Sequence, residues 1–142
     1  WSAEPHAGFS SPGVDELWLP VGDDFRDVNV EHQLVQPTSL LSLYRRLLDY
    51  RRGSPALNQG GYSALDHVPV DCYVFLRDAK HERVLVALNF SEEEQQLQLS
   101  GLGQGVVVLS TYVDRGGAVD LSALELRPLE GLIIELEHDR KG

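Results

Sequence analysis

The sequence has one cysteine, no methionine and few cations. With Cys72 alone, no disulfide can form within the chain, which fits a reducing, cytoplasmic setting. Cys72 lies in an apolar, strand-like run and reads as a buried structural thiol rather than a nucleophile. No apolar run approaches the roughly 20 residues of a membrane helix, and no signal-peptide pattern opens the chain, so no membrane segment is expected. Twelve Lys and Arg stand against 22 Asp and Glu, a net charge of −10. That balance argues against nucleic acid and anionic membranes as partners, which need clustered cations. His6, His32, His67, His81 and His138 are scattered without metal-ligand spacing. No H-E-x-x-H, paired cysteines, EF-hand loop or G-x-S-x-G elbow occurs. The residues therefore nominate no catalytic, cofactor-binding or metal-binding position, and no cofactor is expected. The missing methionine and the opening Trp1 lead us to expect further sequence upstream.

What is present divides at a seam. Hydrophobic content of 42% over 142 residues suits one globular domain, or one domain with a remnant of another. Residues 1–36 show no sustained period and are broken by Pro5, Pro12, Gly13, Pro20 and Gly22. They nevertheless carry Trp1, Phe9, Trp18, Leu19, Phe25 and Val28, apolar residues that need a surface to lie on. One amphipathic helix follows, from about Ser39 to Arg52. Thr38 or Ser39 can cap it, Leu40, Leu43, Tyr44, Leu47 and Leu48 form its apolar face, and Gly53 and Pro55 stop it.

Beyond Gly61 the period changes to two. Strands are predicted at Gly61–Leu65, Cys72–Arg77, Arg83–Phe90, Gln95–Ser100, Gly105–Tyr112, Ala118–Leu121, Leu124–Arg127 and Leu132–Glu137, with turn chemistry between them. Val84–Leu88 is apolar throughout and reads as a central strand covered on both faces. The fold class is mainly β: an antiparallel β-sandwich preceded by an irregular loop and one α-helix. The two parts are residues 1–53 and 54–142.

Little in this pattern promises chemistry. Gly101-Leu102-Gly103-Gln104-Gly105 lacks the lysine and following helix of a phosphate loop and reads as a hairpin turn. Asp15/Glu16, Asp23/Asp24 and Asp27/Glu31 are adjacent acids on loops, not a pair flanking a pocket. Tyr73 and Phe75 share one strand face and read as core, as do Tyr62, Phe90 and Tyr112. Exposed, Tyr73 and Phe75 could stack on sugar rings, and an independent carbohydrate-binding module stays open as an alternative.

Several blocks nevertheless carry a resemblance. Trp1-Ser2-Ala3-Glu4-Pro5-His6-Ala7-Gly8-Phe9-Ser10 resembles W-D-x-S-P-N-A-G-F-[ST]. Trp18-Leu19-Pro20-Val21 with Val28-Asn29-Val30-Glu31 and Gln33 resembles W-L-P-V … I-N-V-E-x-Q. Ser39-Leu40-Leu41, Tyr44-Arg45, Leu47-Leu48, Arg51-Arg52 and Pro55-Ala56-Leu57 resemble S-[VIL]-L-x-x-Y-R-x-L-I-x-L-R-x-x-x-P-A-L. More weakly, Val84–Ser91 resembles L-V-V-x-N-F-[ST]. These are motifs from the end of α-glucosidases of the α-amylase family, the oligo-1,6-glucosidase type. Ser2, His6, Gln36 and Gly22–Phe25 depart from the pattern.

The resemblance implies that residues 1–53 close a (β/α)8 barrel, as the loop after its last strand and its last helix. Residues 54–142 would form the C-terminal β-sandwich. It also implies that the family's Asp nucleophile, Glu acid/base and third Asp lie upstream of Trp1, leaving this segment inactive alone. The implied partners are the rest of the barrel and, in the intact enzyme only, an oligosaccharide, with the Trp1–Phe25 loop at the rim of its site. A non-enzymatic relative, the heavy chain of an amino-acid transporter, is an alternative parent.

Overall fold

The computed structural model describes residues 1–137, so His138 falls outside the described residues. The chain forms two compact units, Trp1–Arg45 and Arg46–Gly142.

The first unit has little regular structure. A 3₁₀ turn at Pro5–Gly8 passes through left-handed backbone at His6, Ala7 and Gly8. Within the stretch expected to be irregular lies a short helix, α1 (Val30–Val35). Asn29 starts it: its Oδ1 accepts from the His32 amide at 2.8 Å and its Nδ2 donates to the Phe25 carbonyl at 2.9 Å. Fewer than two turns leave no apolar period for a sequence reading to find. The long helix, α2 (Leu40–Gly53), begins where predicted, and from Arg46 on it belongs to the second unit. Ser39 rather than Thr38 supplies the cap, its Oγ accepting from the Ser42 amide at 3.2 Å. Gln33 adds a second cap, its Oε1 accepting from the Leu41 amide at 3.0 Å. The unit has almost no core of its own. Ala7 is buried, while Trp1, Phe9 and Leu19 are about two-thirds exposed and Trp18 is 94% exposed.

The second unit is a sheet packed on both faces. All eight expected strands form: β1 (Gly61–Ala64), β2 (Cys72–Ala79), β3 (Glu82–Asn89), β4 (Gln95–Leu97), β5 (Gln104–Ser110), β6 (Gly117–Asp120), β7 (Leu124–Leu126) and β8 (Gly131–Leu136). Six make one antiparallel sheet in the order β1-β2-β3-β8-β5-β6, and β4 pairs with β7 in a two-stranded ribbon. On one face Val74, Leu76, Leu85, Ala87, Val107, Leu132 and Ile134 pack with Leu97, Leu121, Leu124 and Leu126 of the ribbon side. On the other, Val84 and Ile133 pack with Leu47, Tyr50, Ala56 and Leu57. The mainly-β, sandwich-like reading therefore holds, and β3 is covered on both faces, as its unbroken apolar run requires. A bulge between Val107 and Leu109 shifts the β5–β8 register. It lets Val107 point into one core and Leu109 into the other, which strict alternation would forbid.

The helix stop differs from expectation in one respect. Gly53 does end α2, but Pro55 opens another helix, α3 (Pro55–Gln59). Proline suits a first helical position because its missing N–H has no partner there. Ser54 caps α3, accepting from the Leu57 amide at 3.1 Å. Two carboxylates on the sheet hold this helical segment. Glu82 accepts from the Ala56 amide at 2.8 Å, and Glu135 accepts from the Tyr50 hydroxyl at 2.8 Å. Burial first, then the Glu135 carboxylate, pushes the Tyr50 phenol above its usual range. Tyr50→Phe is expected to cost about 1 kcal/mol, the net worth of one such bond. Urea unfolding of the two proteins checks this.

Candidate functional site

The structure separates the acids singled out in the sequence from any pocket chemistry. Asp15, Glu16, Asp23, Asp24, Asp27 and Glu31 are all exposed. Cys72 is buried, and burial, with the Asp71 carboxylate adding to it, pushes its thiol up, against nucleophilic use. The Gly101–Gly103 segment is not a hairpin turn. It carries the chain from β4 in the ribbon to β5 in the main sheet, with Gly103 in left-handed backbone at φ 69°. The hairpin reading failed because strand pairing here is set by distant partners, Gln95–Leu97 with Leu124–Leu126 and β5 with β8.

The densest polar cluster surrounds Glu130, the one buried acidic residue among the described residues. Its carboxylate accepts from the Ser110 hydroxyl at 2.9 Å and the Arg127 amide at 3.0 Å. It also accepts from the Arg127 and Arg115 guanidiniums at 2.6 and 3.1 Å. Arg127 further pairs with Asp114 through both carboxylate oxygens, at 2.7 and 2.8 Å, and lies 4.3 Å over the Tyr112 ring. Burial alone would raise the Glu130 pKa. Hydrogen bonds from Arg127 and Ser110, with the charge of Arg115, outweigh it and hold the carboxyl below its usual range. The hydrogen bond from Arg127 likewise lowers Asp114. A carboxylate so saturated and so depressed cannot serve as a general acid, which must hold its proton near neutral pH. The cluster is a clasp joining the β5–β6 and β7–β8 connections. No sequence signal revealed it, because its members lie up to 20 residues apart.

A second cluster overturns the core reading of the strand aromatics. Tyr62 and Tyr73 are 52% and 45% exposed, and Phe90 and Tyr112 are exposed as well. Phe75, half-buried, lies between the two tyrosines with both ring centroids 5.4 Å away, and their hydroxyls are hydrogen-bonded to each other. The outer face of the sheet is covered by α2 and α3 near Val84 and Ile133. Tyr62 on edge strand β1 and Tyr73 at the start of β2 fall beyond that cover.

Fold and side chains thus define a sheet unit with a buried ionic clasp, preceded by a capped helical segment with almost no core of its own. Residues 1–60 match the family model described as alpha amylase, catalytic domain, so the chain is related to the α-amylase family, as its motifs indicate. The amino acid transporter heavy chain SLC3A1 of Mus musculus is 34% identical over 100% of this chain and 21% of its own length. The glucan 1,6-alpha-glucosidase of Streptococcus dysgalactiae subsp. equisimilis is 28% identical over 96% of this chain and 24% of its own. Among solved structures, the trehalulose synthase of Pseudomonas mesoacidophila MX-45 superposes with a TM-score of 0.73 at 28% identity, over 84% of this chain and 22% of that one. The chain spans about a fifth to a quarter of the length of the curated relatives it matches. None of the described helices is long and apolar enough to cross a membrane.

Proposed function

We propose that this chain is the C-terminal, non-catalytic segment of an α-glucosidase-like glycoside hydrolase acting on α-glucosidic bonds of malto- or isomalto-oligosaccharides or related disaccharides. The observation that carries the reading is the extent of the match: 96% of this chain aligns with a quarter of a glucan 1,6-alpha-glucosidase. In this reading residues 1–53 complete a (β/α)8 barrel, residues 54–142 are its supporting sandwich, and the rest of the barrel is the partner of both. The exposed Trp1, Phe9, Trp18 and Leu19 are in keeping with such a partner. The parent reaction is retaining cleavage or transfer through a covalent glucosyl–carboxylate intermediate. The lone, partnerless thiol is in keeping with a cytoplasmic setting.

Residues 1–142 are expected to release no glucose from isomaltose and no nitrophenol from p-nitrophenyl α-glucoside. Turnover by this segment would overturn the non-catalytic assignment. The full-length gene product is expected to cleave isomaltose, and a full-length protein inert toward α-glucosides would remove the hydrolase reading. The 34% identity to SLC3A1 favours a second reading, a segment of a non-enzymatic transporter heavy chain. A membrane helix in the full-length sequence, with the three barrel carboxylates absent, would establish that reading instead.

A further inference from the structure

We propose that Asn89 is an N-glycan acceptor in the unfolded chain only, and that a glycan placed there blocks closure of the sheet. The sequence has three asparagines, and of these only Asn89, in Asn89-Phe90-Ser91, stands in the N-x-S/T acceptor pattern. That pattern ordinarily lies on an exposed loop. Here it straddles the end of β3, and Asn89 is 3% exposed. The residues that bury it belong to this chain, so any further part of the parent protein can only deepen the burial.

The geometry goes further than burial. A glycan is carried on Nδ2, whose hydrogens lie in the plane of the amide. Nδ2 donates to the Glu93 carbonyl at 2.7 Å and to the Arg127 carbonyl at 2.9 Å. Both in-plane positions thus face backbone oxygens, and a sugar carbon bonded to Nδ2 would have to displace one of them. Oδ1 is equally committed, accepting from the Ser91 amide at 2.9 Å and the Ser91 hydroxyl at 2.8 Å. The bonds with Ser91 and Glu93 are local, whereas the bond to Arg127 spans 38 residues. In the unfolded chain the Arg127 carbonyl is elsewhere and an Nδ2 hydrogen is free. There the nitrogen can attack the anomeric carbon of a polyprenyl-diphosphate-linked oligosaccharide. A C–N bond forms, the C–O bond to the diphosphate breaks with its electron pair leaving on the diphosphate, and the nitrogen's proton passes to a base of the transferring enzyme. The product keeps one N–H for two carbonyls. Asn89 also donates its backbone N–H to the Glu130 carbonyl at 2.9 Å. A glycan that holds Arg127 away therefore holds Glu130 and β8 away as well.

The site is the same under either reading of the parent. A cytoplasmic protein never meets the oligosaccharide donor. A parent exported through an N-glycosylating compartment would have to fold faster than it is modified.

The test is expression of the full-length protein behind a secretory signal in yeast, with the bacterial cytoplasm as the unglycosylated control. Mass spectrometry of the Asn89 peptide reads occupancy in the soluble, protease-resistant fraction and in the retained, insoluble fraction. Asn89 is expected to be bare in the first and glycosylated in the second. Ser91→Ala destroys the acceptor pattern without removing either carbonyl partner of Nδ2. It is expected to raise the folded yield several-fold in yeast and not in bacteria. Glycosylated Asn89 in the protease-resistant fraction overturns the proposal, and so does bare Asn89 in both fractions. A yield in yeast unchanged by Ser91→Ala, or a gain of equal size in bacteria, overturns the block on closure. The occupancy comparison uses the wild-type protein alone, so it decides even where Ser91→Ala is unstable.

Discussion

Replacing Glu130 with glutamine is expected to lower the unfolding free energy at neutral pH by about 3 kcal/mol, the lower end of the cost of breaking a buried ion pair. The substitution keeps the shape of the side chain and removes its charge. It leaves Arg127 and Arg115 facing an amide whose NH₂ is itself a donor. It also removes one of the two acceptor oxygens, so either the Ser110 hydroxyl or the Arg127 amide, now at 2.9 and 3.0 Å from separate oxygens, loses its partner. The lower end applies because the Arg115 and Arg127 side chains are 27% and 32% exposed, so water recovers part of their hydration. The loss should depend on pH in a defined direction. The folded-state pKa of Glu130 is depressed, chiefly by its bonds from Arg127 against the opposing effect of burial. Its contribution is therefore complete above the ordinary glutamate value of about 4.3 and is lost as pH falls through the lower folded value. Urea unfolding of wild type and Glu130→Gln at neutral and acid pH checks both parts: the gap between them should narrow in acid. A gap that stays constant would mean that the charge of Glu130 contributes nothing.

The second large effect is expected at Gly60, which joins α3 to the sheet. A Cβ there would meet the Ala56 carbonyl oxygen at 2.4 Å and the Asp78 carbonyl oxygen at 2.7 Å. Both obstacles are backbone, one on the helix and one on β2, and neither can swing aside as a side chain would. The conformation itself is ordinary, φ −64° and ψ 155°, so space rather than torsion demands glycine. Gly60→Ala is expected to cost about 3 kcal/mol, the upper end for overpacking. Gly53→Ala is the control. Nothing lies within 4 Å of its Cβ position. There, in a helix, alanine should be neutral or stabilise by up to about 1 kcal/mol. Thermal or urea unfolding separates the two. Equal behaviour of both variants would show that the close approach at Gly60 relaxes freely.

The two units differed in how much of them could be read from sequence. The strands announced themselves because burial is periodic: Leu85 and Ala87 face one core and Val84 faces the other, and turns separate each run. Ends shifted by a residue or more, most in β4, whose partner β7 is only three residues long. The helix α3 was hidden because Pro55 was read as a stop, while Ser54 followed by proline is equally a start. Tyr62 and Tyr73 were misplaced because alternation tells which residues share a face and not what covers it. The Glu130 clasp had no sequence signature at all. Ser110 and Arg115 meet Glu130, and Asp114 meets Arg127, only once β8 lies beside β5.

That placement of β8 bears on how the protein is made. The last strand among the described residues, β8, lies between β3 and β5, both of which precede it in the sequence. Until Gly131–Leu136 leaves the ribosome, β1–β3 and β5–β6 have no strand between them to join. The hydrogen-bonding edges of Val84–Leu88 and Gly105–Ser110 stay open for that time. The six-stranded sheet cannot close before β8 has emerged, and a nascent chain stalled before Gly131 would present two apolar edges ready to pair with other chains.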